Sequence, residues 1–397
     1  MADLNSLRWV VDEAIPHTGC LRQIMGEVVS LSGRDITPQA IQRADVLLVR
    51  SITQVNEALL AGSRVRFVGT ATAGHDHIDT QSLARLGVEW CAAPESNAVS
   101  VVEYVLSAVA LSGFLKAILE GLPVGIVGLG AVGARLARRL TQLGCTVVGY
   151  DPLQKNWPSE VVPAELDEVL CQPVVSLHAA LHDGGQYPSR DLINPARAER
   201  MASAAEDRPD GGLLINAARG SLITPQALEM LLASRLNVVL DTWPGEPELS
   251  GSVLQSVDWI SPHIAGHSIT AKHRASDMLA EAVARWLRIE IERETANDGT
   301  PSLIAGLPGM ETGQSDPLSW LQAFLVDMGT LQYEDRRLRA VASPHLSSGA
   351  FDQLRSSYSQ PSEWSGQTFT MQEMSQPIAA MAERLGINVI SREEAFQ

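Results

Sequence analysis

Short apolar runs rich in β-branched residues alternate along this chain with stretches of helical periodicity. In the first ninety or so residues the runs at 9–11, 28–31, 46–49, 67–69 and 88–91 read as strands. Amphipathic stretches at 38–43, 55–61 and 80–86 fill the intervals as helices. Continuous apolar strands separated by helices predict a parallel sheet covered on both faces. A helical pattern over 98–119 leads into a second unit of the same kind, with strands at 124–127, 146–150, 174–177, 213–216, 238–241 and 259–260. The first helix of that unit covers 132–143, and a long helical pattern follows from 269 to 294. The breaker-rich stretch 295–317 reads as a linker. Beyond it, 318–397 carries its own apolar pattern, at 318–328, 338–341, 374–385 and 387–390. A unit that small is expected to dock on another domain or another subunit.

Composition narrows the class. At 397 residues the chain exceeds one ordinary core, which predicts two or three domains. A hydrophobic content of 45% suits a globular protein, and no apolar stretch reaches the roughly 20 residues that a membrane span needs. The net charge of −16 argues against nucleic acid or an anionic membrane as partner. A phosphorylated ligand then needs a locally positive pocket. Cys20, Cys91, Cys145 and Cys171 are scattered without metal-like spacing, so reduced thiols in a cytoplasmic protein are expected. No basic region precedes an apolar run at the N-terminus, so no signal peptide is expected.

Gly128-Leu129-Gly130-Ala131-Val132-Gly133 fits GxGxxG, follows a strand, opens a helix and is followed by Asp151 at the end of the next strand. In that context Gly128 permits the tight turn, Gly130 lets backbone approach a pyrophosphate, and Gly133 allows close helix packing. The helix N-terminus offers amides and a positive dipole end to phosphate. An acidic Asp151 accepts from ribose hydroxyls and repels a 2′-phosphate, which favours NAD.

Three loops that each follow a strand of this second unit carry the candidate chemistry: Arg219 after 213–216, Glu246 or Glu248 after 238–241, and His263 after 259–260. An arginine holds a carboxylate by a bidentate pair. A histidine backed by a carboxylate exchanges a proton near neutral pH. Beside a nicotinamide these are the parts that oxidise a 2-hydroxy acid. Arg50, Ser51 and Thr72 follow first-unit strands and are placed to hold a phosphate or carboxylate across an interdomain cleft. His75-Asp76-His77-Ile78-Asp79 has metal-ligand residue types, but its spacing suits a turn opening the helix at Asp79 better, and no metal is expected.

The ordered Arg, Glu and His behind a GxGxxG unit resemble the D-2-hydroxyacid dehydrogenase family. The likeness includes Leu48-Val49-Arg50-Ser51, Val55-Asn56-Glu57, the run from Phe67 to Gly74, and Val101-Val102-Glu103-Tyr104-Val105. Past Glu294, where shorter members stop, Phe351-Asp352-Gln353-Leu354-Arg355 with Tyr358 and Glu363-Trp364 is similar to an extra C-terminal dimerisation domain in one branch. The resemblance implies a flavodoxin-like substrate domain (1–96 with 268–294), a Rossmann NAD domain (97–267) and a small α+β dimerisation domain (318–397). It implies NAD-dependent oxidation of 4-phospho-D-erythronate to 2-oxo-3-hydroxy-4-phosphobutanoate in vitamin B6 biosynthesis, by a homodimer. It selects Glu246 over Glu248, and names Arg219, Glu246 and His263 as catalytic. It adds Ala217, Ala218, Asp241 and Gly266 to the cofactor contacts made by Gly128, Gly130, Val132, Gly133 and Asp151. Ser51, Thr72 and His267 become substrate contacts. Two positions depart from the family branch: His267 stands where tyrosine is usual, and Ala179 where a threonine touches the cofactor. Arg355 is a candidate phosphate contact from a partner subunit. Two other readings share the residues, a 3-phospho-D-glycerate dehydrogenase and a non-catalytic NAD-sensing scaffold.

Overall fold

A computed structural model describes residues 6–154, 156–292, 304–305, 316–342, 345–371 and 375–391. These divide into two compact units, one of 1–97 with 267–299 and one of 98–266 with 300–397. Most of the expected linker, 295–317, lies outside the described residues.

In the first unit, β1 (Arg8–Asp12), β2 (Glu27–Leu31), β3 (Val46–Val49), β4 (Phe67–Thr70) and β5 (Glu89–Cys91) form one parallel sheet in the order 2-1-3-4-5. That is the flavodoxin-like order. β3 and β4 are buried at every position because both faces are covered. One face packs on the helix Ile269–Leu287 through Leu279, Ala280 and Val283. The expected helix 269–294 is shorter than its pattern. Arg288 adopts a left-handed φ of 58° and ends it after Leu287, although apolar residues continue in the sequence. Asp79 caps the helix Thr80–Leu86 by accepting from Ser82 N at 3.0 Å, as the turn reading expects.

The second unit contains β6 (Val124–Val127), β7 (Val147–Tyr150), β8 (Val162–Pro163), β9 (Val174–Leu177), β10 (Gly212–Asn216), β11 (Leu236–Leu240), β12 (Leu249–Ser250) and β13 (Trp259–Ile260). All but β12 join one parallel sheet in the order 13-11-10-9-6-7-8. Order reverses between β6 and β9, the switch point where doubly wound sheets bind ligands. The helix expected over 98–119 is two helices, Ala98–Leu111 and Leu115–Leu119. Gly113, at φ 78°, turns the chain between them, and the apolar pattern persists because both pieces are buried.

The C-terminal residues add β14 (Ile304–Ala305), β15 (His345–Leu346), β16 (Thr368–Met371) and β17 (Asn388–Ser391), with helices Pro317–Met328, Leu331–Val341, Ser348–Ser356 and Gln376–Arg384. β14, β16 and β17 make a small parallel sheet. Trp320, Phe324, Tyr358, Trp364 and Phe369 share a hydrophobic core with Val101, Val105 and Val109 of the helix Ala98–Leu111. Glu103 on that helix accepts from Trp364 N at 3.2 Å and Ser365 N at 2.7 Å. The C-terminal segment therefore docks on the nucleotide-binding unit of its own chain. Among the described residues no helix is long and apolar enough to cross a membrane.

Candidate active site

The glycine turn after β6 is shaped by backbone contact. Gly128 has φ 89°, and a Cβ there would lie 2.5 Å from Ala179 N; a Cβ on Gly133 would lie 1.9 Å from Gly128 O. A Cβ on Gly130 would meet no atom within 4 Å, so this is the exposed side of the turn. Gly130 caps the helix Ala131–Gln142 without a side-chain acceptor, which leaves first-turn amides for an anion. Val132 is half-buried behind them. Asp151, at the end of β7, accepts from Leu129 N at 2.8 Å and from Leu153 N and Gln154 N at 3.0 Å. Three of its roughly four acceptor sites are thereby fixed, which ties the carboxylate to the turn. The residues fit the diphosphate and ribose of a dinucleotide.

β10, β11 and β13 are neighbours, so the loops at their carboxyl ends meet. Asn216, fully buried at the end of β10, accepts from Ala218 N at 3.1 Å and donates to Arg219 O at 3.0 Å, folding Ala217–Arg219 over itself. Arg219 Nη1 donates to Ala218 O at 2.8 Å. Gly220 then presses on the next loop; a Cβ there would lie 1.9 Å from Trp243 O.

In that next loop Glu246 accepts from Trp243 N at 3.1 Å through Oε2 and meets His263 Nδ1 at 2.6 Å through Oε1. Glu248 is exposed and accepts from Ser348 Oγ instead, so the structure brings Glu246 and not Glu248 to the histidine. Burial alone would raise the Glu246 carboxyl. The positive imidazole of His263, its hydrogen bond, the Trp243 amide and the Arg355 guanidinium outweigh that and hold it below the usual carboxylate range. An ionised Glu246 only accepts, so Nδ1 carries a hydrogen, and whenever the ring is neutral the lone pair is on Nε2.

His263 has φ 56°, a left-handed conformation that costs a β-carbon residue about 1–2 kcal/mol. Asp241 holds it there. Buried at the end of β11, its carboxylate accepts from Ile264 N at 2.7 Å, Ala265 N at 3.0 Å and Ser261 Oγ at 2.7 Å. Because Ser261 spends its hydrogen on Asp241, Tyr104 OH is the donor in the 2.7 Å Tyr104–Ser261 bond. Trp243 Nε1 donates to Ser261 O at 3.0 Å, joining the Glu246 and His263 loops. Gly266 closes the His263 loop, half-buried.

On the first unit, Ser51 lies in the turn after β3 and Thr72 just past β4. Thr72 Oγ1 donates to Gly74 O at 2.7 Å, so Thr70 donates to Thr72 and His77 Nε2 donates to Thr70. Arg50 Nη2 faces His267 Nε2 at 3.4 Å, with the guanidinium as the donor. Among the described residues no group of three or more His, Cys, Asp or Glu is arranged to hold a metal. Sequence reasoning missed Asn216 and Trp243 as organisers of the loops; only the positions of both at strand ends hinted at them.

Comparison with known proteins fits this geometry. A profile for "D-isomer specific 2-hydroxyacid dehydrogenase, NAD binding domain" matches residues 107–265. An erythronate-4-phosphate dehydrogenase of Edwardsiella ictaluri is 39% identical over 373 residues, 90% of this chain and 93% of that protein. The chain belongs to the D-isomer-specific 2-hydroxyacid dehydrogenases. A second member, an erythronate-4-phosphate dehydrogenase of Salmonella arizonae, is 36% identical over 398 residues, 97% of this chain and 99% of its own. In fold, this dehydrogenase is similar to the D-lactate dehydrogenase of Aquifex aeolicus solved with NAD and lactic acid (TM-score 0.58, 18% identity, 71% of this chain and 95% of that one). It is also similar to the NAD-bound 3-phosphoglycerate dehydrogenase of Entamoeba histolytica (TM-score 0.59, 21% identity, 71% and 96%).

Proposed function

We propose that this dehydrogenase oxidises 4-phospho-D-erythronate to 2-oxo-3-hydroxy-4-phosphobutanoate with NAD, as a homodimer in cytoplasmic vitamin B6 biosynthesis. One observation carries the choice of substrate. The Salmonella arizonae relative aligns over 97% of this chain, which omits only about a dozen residues and so includes the segment from Phe351 to Trp364. A likeness restricted to the two α/β units would leave the substrate open.

In this mechanism Arg219 pairs with the substrate carboxylate and polarises the C2 oxygen. Nε2 of His263 takes the C2 hydroxyl proton while the C2 hydrogen leaves with its electron pair, so that a C2 carbonyl forms. Bound NAD supplies the hydride acceptor. Gly128, Gly130, Val132, Gly133, Asp151, Ala217, Ala218, Asp241 and Gly266 would hold that cofactor. Glu246 keeps hydrogen on Nδ1 and stabilises the imidazolium as it forms. Ser51, Thr72 and His267 are the proposed substrate contacts on the first unit. The test is NADH formation with 4-phospho-D-erythronate and 3-phospho-D-glycerate side by side. The erythronate is expected to react far better; preference for the glycerate would overturn the assignment.

A further inference from the structure

The His263 loop has no strand beyond it in its own unit. β13 ends at Ile260, and Gly266 is the last residue before the chain passes to the other unit. A left-handed His263 between those two ends has to be held from outside the loop. Asp241 supplies one hold, through the amides of Ile264 and Ala265. The helix Ala98–Leu111 supplies the other.

That helix is apolar except at Ser100, Glu103, Tyr104 and Ser107, and polar groups in such a setting need partners. Glu103 is spent on the amides of Trp364 and Ser365. Ser100 and Tyr104 stand four positions apart, so they share one face of the helix, and both reach the His263 loop. Ser100 Oγ donates to Ala265 O at 2.8 Å rather than to a carbonyl of its own helix. Tyr104 OH donates to Ser261 Oγ at 2.7 Å, and Ser261 Oγ donates onward to Asp241 Oδ1 at 2.7 Å. Burial pushes the Tyr104 phenol well above its ordinary pKa, so it stays a donor. Ser261 lies two residues before His263 and Ala265 two residues after it. The two anchors therefore straddle the histidine. Ser100, Tyr104, Ser261, Asp241 and Ala265 are all buried, so bulk water does not compete for these bonds.

We propose that Tyr104 and Ser100 are positioning residues for His263, holding its loop at both shoulders from one helix face. Tyr104 acts through Ser261 and Asp241, Ser100 through the Ala265 carbonyl, and together they set where the imidazole stands. This rests on the reading of His263 as the proton acceptor, and it holds for any 2-hydroxy acid substrate.

The test removes one hydroxyl at a time from the full-length protein, as Y104F and S100A. NADH formation from 4-phospho-D-erythronate is measured, with NAD affinity determined separately. A misplacement near 1 Å costs about a hundredfold in rate, so kcat is expected to fall about tenfold in each variant, with NAD affinity within about twofold of native. Amide hydrogen exchange across 263–266, read by mass spectrometry, should quicken by about tenfold in both. Y104F/S261A should have the kcat of S261A alone, because tyrosine and serine act through one chain. A merely structural tyrosine would lower the melting temperature and leave kcat of the folded protein in place. Native kcat in folded Y104F and S100A would overturn the proposal, as would multiplied losses in Y104F/S261A. If Y104F fails to fold, S100A is read in the same way; failure of both would make this face a folding element and overturn the assignment. Faster exchange in both variants of a protein that oxidises no 2-hydroxy acid would refute the proposed function alone.

Discussion

Replacing Glu246 with glutamine removes one charge and almost no volume. The amide oxygen can still accept from His263 Nδ1, so the ring keeps its orientation. What disappears is the carboxylate that meets the His263 ring in a 2.6 Å bond between two largely buried side chains. A hydrogen bond to a charged group is worth about 1.5–3 kcal/mol, and here its full value arises only once the proton has reached the ring. At about 1.4 kcal/mol per tenfold, kcat for oxidation should fall between roughly tenfold and a hundredfold. The glutamine NH2 will face Trp243 N, which now donates to Oε2, and about 1–3 kcal/mol of stability should be lost in a thermal melt. The assay is steady-state NADH formation across pH with NAD affinity measured separately, since the glycine turn is untouched. A kcat within about twofold of native would refute the role of Glu246.

Two further substitutions test the surrounding framework. Gly220→Ala places a methyl group 1.9 Å from Trp243 O and must push apart the loops that carry Arg219 and Glu246. A displacement near 1 Å is expected to cost about a hundredfold in kcat with NAD affinity retained, measured by turnover and by cofactor titration. Asp151→Ala removes the acceptor at the end of β7 and frees three backbone amides. NAD affinity should drop by about tenfold or more while discrimination against NADP weakens, as read by calorimetry with both cofactors; unchanged discrimination would mean that Asp151 only braces the turn.

Much of the scaffold was legible in the sequence because it depends on neighbours along the chain. The strands at Val46–Val49, Val124–Val127 and Val174–Leu177 begin and end where the apolar runs do. The Asp79 cap and the glycine turn follow from backbone preferences of single residues. Helix length was less legible. Burial keeps the pattern apolar across Gly113, and apolar residues run on past Arg288, so hydrophobic periodicity does not mark either break.

The sequence by itself determined the two parallel sheets, the dinucleotide turn and the order of Arg219, Glu246 and His263 along the chain, since each is a local signal in residue type and spacing. Only the tertiary structure decided which partner each side chain meets. Glu246 and Glu248 are two residues apart and chemically equivalent, yet one reaches His263 and the other Ser348. Asp241 is locked beneath the His263 loop, and Arg355 is set beside Glu246 from more than a hundred residues away in sequence. Phe351 and Leu354 of a C-terminal helix are buried in one cluster with Trp243 and Leu249, beside those pairings. Buried charge, unlike a strand or a cap, finds its counterpart through space and leaves no periodic mark on the chain.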